Sequence, residues 1–283
     1  MFNGFGIELS KSDYPARFLT SYEWSEKDSR FGGYSAISLS RNGSDFIIMS
    51  DRGHIVEGRI VRHKDQIIGV RSSQQRALEF PEKWPGVELV RDTEGIAIDP
   101  AGRVFVSLEG ISAILAKRND DTWFRLPNAP AFSTLPENRG LEALATDGEG
   151  AVFAVPESSE NLVEPFPVFR YRDTNGWDIP IFISRSEGFV PVGADFDAYD
   201  RLYVLERSFN GFGFRSRVRR FSLDAGEVQD GEILLVSKLR EHDNLEGIGV
   251  WQTDDGELRL TLISDDNFNW FQKTEIVEYG LSN

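Results

Sequence analysis

The sequence predicts an all-β fold, a β-propeller of five or six four-stranded blades closed by a strand from the chain's own terminus. Three observations predict it. A short two-strand unit with an acidic residue near each end recurs at a spacing of roughly fifty residues, the period of propeller blades. Apolar residues alternate with period two, and the 3.6-residue period of amphipathic helices is scarce between the units. Asp, Asn, Gly and Pro punctuate the units where hairpin turns need them.

Taken in order, the first thirty residues hold two alternating runs, Phe5-Ile7-Leu9 and Phe18-Tyr22-Trp24. The first is expected to pair with Thr274–Leu281 and close the ring. The first blade core is Phe31–Gly53, with Ser35 at the opening position, Asn42-Gly43 as the turn and Asp51 at the closing position. The second, Asp92–Gly110, has Glu94, the turn Asp99–Gly102, and Glu109. The third, Asn138–Ser158, has Glu142, the turn Asp147–Gly150, and Glu157. The fourth, Val192–Ser208, has Asp195, the turn Ala198–Asp200, and Glu206. The fifth, Asn244–Asn267, has Glu246, the turn Asp254–Glu257, and Asp265 followed by Asp266. Alternating segments between the cores, such as His54–Ile60 with Gln66–Val70, supply the outer strands. No linker or low-complexity stretch interrupts them, so residues 1–283 form one domain.

The chain carries 46 Asp and Glu against 31 Lys and Arg, a formal charge of −15. That balance disfavours nucleic acid and anionic membrane as partners. It serves solubility, and it allows some of the acids to gather at one cation-attracting site. With no cysteine, disulfides, thiolate nucleophiles and cysteine zinc sites are excluded. No run approaches the length of a membrane span. The first residues lack the basic and apolar regions of a secretory signal, which leaves the compartment open. A monomer acting on a small molecule is expected.

Several blocks together, FGGYSAISLS with SDRG, DTEGIAID, NRGLEALA, GADFDAYDRLYVLERSF and HDNLEGIGVW with LISDDNFNWFQKTEIVEY, resemble the bacterial family called esterase-like activity of phytase. The resemblance runs over nearly the whole chain. It implies a propeller scaffold, a phytase-like phosphoesterase activity on a small phosphate ester, and a periplasmic or secreted setting.

In a propeller the innermost strands line one channel, so equivalent positions form rings. The opening ring reads Glu94, Glu142, Asp195 and Glu246, with Ser35 as its odd member. The closing ring reads Asp51, Glu109, Glu157, Glu206 and Asp265. Converging carboxylates must be protonated, paired with arginine or bound to a cation. Oxygen donors with only three histidines in the chain suit Ca²⁺, or Mg²⁺, better than zinc. The metal candidates are Asp51, Glu94, Glu142, Asp195, Glu206, Glu246 and Asp265. The competing reading is that the first acid caps its hairpin by accepting backbone N–H bonds.

Catalytic candidates are Glu94, Glu142 and Glu246, with His242 beside Asp243 as a further base. Arg52, Arg139, Arg207 and Arg217 are candidates for binding phosphate, or for pairing with the acid rings. Phe268, Trp270 and Phe271 read as core or channel wall. No nucleophile-elbow motif is present, so a serine-esterase mechanism is set aside. The leading expectation is a metal-dependent phosphate-ester hydrolase. Lactone or carboxyl-ester hydrolysis on the same scaffold, and a non-enzymatic ligand- or protein-binding propeller, are the alternatives.

Overall fold

The computed structural model describes residues 14–78, 93–118, 120–135, 140–159, 163–223 and 227–281. The first strand among the described residues is β1 (Ala16–Glu23). The first blade is β2 (Tyr34–Leu39), β3 (Asp45–Ser50), β4 (His54–His63) and β5 (Gln66–Ser72), with the short β6 (Arg76–Ala77) against β4. The second is β7 (Thr93–Ile98), β8 (Val104–Leu108), β9 (Ala113–Lys117) and β10 (Trp123–Arg125). The third is β11 (Leu141–Thr146), β12 (Val152–Pro156), β13 (Phe166–Arg172) and β14 (Gly176–Ile183). The fourth begins with β15 (Val190–Phe196), β16 (Leu202–Phe209) and β17 (Phe214–Phe221). The chain then lends β18 (Val228–Gln229) in parallel to β14 before completing blade four with β19 (Glu232–Val236). The fifth is β20 (Asn244–Gln252), β21 (Leu258–Asp265) and β22 (Glu275–Leu281).

Five blades stand in a ring, with β2, β7, β11, β15 and β20 innermost and each touching the next. The N-terminal strand closes the ring: β1 is the outermost strand of blade five and pairs antiparallel with β22, Ala16 opposite Leu281 and Glu23 opposite Glu275. Its residues include Phe18 and Tyr22 of the second alternating run. The run Phe5-Ile7-Leu9 lies outside the described residues.

Five apolar clusters hold the ring, one in each gap between neighbouring blades. The alternation in each strand explains them, because successive side chains face opposite neighbours. The inner hairpin turns repeat one device. Asp99, Asp147 and Asp197 each accept backbone N–H bonds from the residues two and four positions on, the Asx geometry that makes Asp a turn residue. These turn acids are the true repeat at that end of the strands, and they are committed to the backbone.

Candidate active site

Each innermost strand carries a register shift at its first residues: between Tyr34 and Ala36, Thr93 and Ile96, Leu141 and Ala143, Pro191 and Gly193, and Leu245 and Gly247. A bulge re-aims the extra side chain. The residues so placed are Ser35, Glu94, Glu142, Val192 and Glu246, and together they line a constriction of about 10 Å³ on the propeller axis, room for about one water-sized particle. The glycine that follows the acid in blades two and five, and follows Val192 in blade four, has a packing cause. A Cβ on Gly193 would stand 2.5 Å from the Glu246 carbonyl, one on Gly95 2.9 Å from the Glu142 carbonyl, and one on Gly247 2.9 Å from the Ile37 nitrogen. The innermost strands approach too closely at the hub for a larger residue.

The register also defines the second ring. The residues paired with the position before each bulge are Ser50, Leu108, Pro156, Glu206 and Ser264. The next residue in each strand is therefore equivalent: Asp51, Glu109, Glu157, Arg207 and Asp265. Blade four departs from the sequence reading at both levels. Val192, not Asp195, stands in the opening ring, and Arg207, not Glu206, stands in the closing ring. A one-residue slip sends a strand side chain to the opposite face, and that is the relation between Glu206 and Arg207.

Glu94, Glu142 and Glu246 are thus brought together, with Asp51, Glu109, Glu157 and Asp265 around them. Among the described residues, Arg207 is the single cation within the two rings. Its guanidinium bonds the carboxylate of Glu246, Glu157 Oε1 at 3.1 Å and Asn244 Oδ1 at 3.1 Å. Asn244 Nδ2 in turn donates to Glu246 Oε1 at 2.8 Å. Asn244 was not singled out in the sequence, although it lies two residues before Glu246 on the same strand. Burial, then the charges of Glu94, Glu109, Glu157 and Glu246, drives the Glu142 carboxyl well above its usual range. Burial raises Glu246 as well, against the pull of Arg207 and Asn244. Asp265 is pushed up to about 8 by burial and by the charges of Glu246, Asp51 and Asp266. Among the described ring residues, seven carboxylates gather around one arginine.

The remaining candidates sit elsewhere. Asp195 accepts the Val250 N–H at 2.7 Å and the Phe196 N–H at 2.8 Å, stitching blade four to blade five. Burial nevertheless pushes it up to about 7. Glu206 is fully buried and shares its oxygens between Arg217 and Arg219. Arg217, 2% exposed, also donates to Ser186 Oγ at 2.6 Å, so its guanidinium is consumed inside the blade. His242 is buried among the outer strands of blade five: its Nε2 is 2.6 Å from the Tyr279 hydroxyl, and its ring stacks on Phe18. Burial lowers its pKa, and its contacts do not reach the hub rings. Arg52 is at the hub rim, its guanidinium 3.4 Å from the centroid of the Phe268 ring. Arg139 lies outside the described residues. Trp270 and Phe271, read as core or wall, are exposed.

As donors, the ring carboxylates are hard oxygens that suit Ca²⁺ or Mg²⁺, and the constriction is of atomic size. Among the described residues, no three His, Asp or Glu side chains are already drawn together at coordinating positions. The fit therefore lies in chemistry and space, and ligation requires the carboxylates to draw closer together.

Fold and site together define a five-bladed propeller with an acid-lined hub. The chain belongs to the family described as esterase-like activity of phytase, whose model matches residues 29–268. No curated protein matches the chain. Among solved structures it is similar to the PQQ-bound aldose sugar dehydrogenase from Streptomyces coelicolor, at 12% identity over 94% of this chain and 99% of that one, TM-score 0.47. It is also similar to virginiamycin B lyase from Staphylococcus aureus, at 10% identity over 93% of this chain and 99% of that one, TM-score 0.46. Similarities this distant say nothing about the reaction. Among the described residues, no helix is long and apolar enough to cross a membrane.

Proposed function

We propose that this chain is a divalent-cation-dependent hydrolase of a small phosphate ester. One observation carries the reading: three blades deliver Glu94, Glu142 and Glu246 to one constriction. Glu94, Glu142 and Glu246 would hold Ca²⁺, or Mg²⁺ in its place, with Asp51 and Asp265 beside them. When bound, such an ion supplies positive charge that polarises an ester oxygen and acidifies water.

The chain's own residues do the rest. Left off the ion, Glu142, whose pKa is raised by burial and by the neighbouring carboxylates, favours holding a proton, as a general acid must. Arg207 fixes the Glu246 carboxylate and neutralises part of the well. Arg52, lying flat on Phe268 at the rim, offers a planar fork to an incoming anion. The same groups serve a lactone or carboxyl ester. The pairing of Arg207 with Glu246 and Glu157 also favours a second reading, a binding propeller whose hub is salt-bridged and inert.

Thermal melts with Ca²⁺ and with EDTA, alongside turnover of a phosphomonoester, a phosphodiester and a lactone, separate these readings. A cation-dependent rise in Tm with phosphoester turnover is expected. The Glu94→Gln, Glu246→Gln double variant is expected to lose both, and full turnover in it would rule the hydrolase out.

A further inference from the structure

At the end of the channel where the inner hairpins turn, the axis opens into a cavity of about 1450 Å³ lined by the turn ends of all five blades. Its inner end shares Ile37, Ile96, Leu144 and Ala194 with the constriction.

The five turns are not equivalent in charge. By register, the first turn position holds Ser40, Asp99, Asp147, Asp197 and Thr253. In each aspartate Oδ1 takes both backbone N–H bonds. Oδ2 is where they differ. Arg103 Nε donates to Asp99 Oδ2 at 2.6 Å, and Arg201 Nε donates to Asp197 Oδ2 at 2.6 Å. Each arginine lies four residues after its aspartate. Four residues after Asp147 the chain has Ala151. Among the described residues, nothing bonds Asp147 Oδ2. Arg170 lies within range of its charge, but that guanidinium is taken up by Asp178 at 2.8 Å. Asp147 is nevertheless only 7% exposed, and it lines the cavity. A buried carboxylate oxygen without a partner marks a place for a donor. A second carboxylate stands beside it: Asp200, on left-handed backbone with φ of 56°, accepts the Gly148 N–H at 2.8 Å and lines the same cavity.

We propose that this cavity is a second binding site, for a small molecule carrying one guanidinium group, which takes on Asp147 the place that Arg103 and Arg201 hold on Asp99 and Asp197. The two equivalent turns show which group suits the carboxylate, and the planar fork of a guanidinium supplies several N–H donors at once. Blade one, which is no neighbour of blade three in the ring, limits the ligand to one such group. It brings Arg41 and Arg71 to the same cavity, and among the described residues neither side chain has a hydrogen-bond or ion-pair partner. They repel a polyamine or an arginine-rich peptide and accept a ligand whose far end is neutral or anionic. The proposal does not depend on the hydrolase reading of the hub.

The test is calorimetric titration of the full chain with L-arginine and with L-citrulline, in which a neutral urea replaces the guanidinium, in EDTA to keep divalent cations off the hub. Arginine is expected to bind at least about tenfold more tightly, the size of a charged hydrogen-bonded pair. Asp147→Asn is expected to bring arginine down to the citrulline level. Asparagine keeps Oδ1 for the two backbone bonds, so the turn and the Tm are expected to hold. Ala151→Arg gives blade three the arginine of blades two and four, and it is expected to abolish arginine binding. Equal affinity for the two amino acids, no binding of arginine, or unchanged binding in Asp147→Asn overturns the proposal. So does binding of an arginine-rich peptide where free arginine fails, which makes the occupant a protein instead.

Discussion

Glu206 and Arg207 are neighbours in sequence and belong to two different electrostatic worlds. Glu206 faces the gap between blades three and four. There Arg217 and Arg219 grip both its oxygens, and the guanidinium groups are further satisfied by Ser186, Ser184 and the Asp230 carbonyl. Every charge has a partner, and the cluster is sealed from water. Arg207 faces the hub, where it is outnumbered by carboxylates whose pKa values climb through burial first and through one another's charge second. The first arrangement spends charge on holding two blades together. The second gathers carboxylates of like charge at one constriction, where a ligand can reach them. Repetition of acids along the chain does not separate the two; the balance of counter-charge does.

The sharpest way to break this contrast is truncation on each side. Glu206→Ala leaves two buried guanidinium groups without their carboxylate and is expected to cost about 3–5 kcal/mol, read from denaturant midpoints. Glu142→Gln removes one member of a mutually repelling group. It is expected to leave stability unchanged or raised by about 1 kcal/mol, while turnover falls about a hundredfold or more. If both variants destabilised alike, the hub acids would be structural and the contrast would vanish.

The blade architecture was legible because it is written locally. Hairpin turns, period-two alternation and the Glu-Gly pairs each depend on a few adjacent residues, and the ring follows from repeating them. The assignment of blade four was not legible. Matching acid to acid across repeats selected Asp195 and Glu206, because blade four carries no acid at either ring position and only strand pairing reveals that the true equivalents are Val192 and Arg207. The exposure of Trp270 and Phe271 was also hidden. Their loop is pinned at its start by Asp266 reaching Gly33 across most of the chain's length, and no local pattern around Phe268 and Trp270 records that bond. The closing strand was placed by the general need of a ring, and the structure supplies β1 for it.

The pH response sharpens the comparison at intermediate size for each group. Asp195 has a folded-state pKa of about 7 against 3.8 when unperturbed, and Asp265 about 8 against 3.8. A raised carboxyl binds its proton more tightly in the folded chain. Its contribution to stability is therefore full below about 4 and is lost as pH rises from there through 7 to 8. Without divalent cations, melts are expected to show stability falling by on the order of 6 kcal/mol between pH 5 and pH 8, about 2–3 from Asp195 and about 3–4 from Asp265. Ca²⁺ is expected to restore the part due to the hub and none of the part due to Asp195, which serves the backbone of blade five. Asp195→Asn should then flatten the residual slope. A cation that erased the whole pH dependence would place Asp195 in the same well as the glutamates.

The smallest effect comes from the ring position where the acid is missing. Ser35 occupies the site of Glu94, Glu142 and Glu246, yet its hydroxyl donates to the Thr93 carbonyl at 2.8 Å. Thr93 answers by donating its own hydroxyl to the Ser50 carbonyl at 2.6 Å. Here the ring position is used as a stitch between blades one and two, and it carries no charge to spare. Ser35→Ala removes a single neutral hydrogen bond and is expected to cost about 1 kcal/mol, with turnover and Ca²⁺ response unchanged. Loss of the Ca²⁺ shift in that variant would make Ser35 a ligand in its own right, and the ring would then be uniform in purpose despite its mixed chemistry.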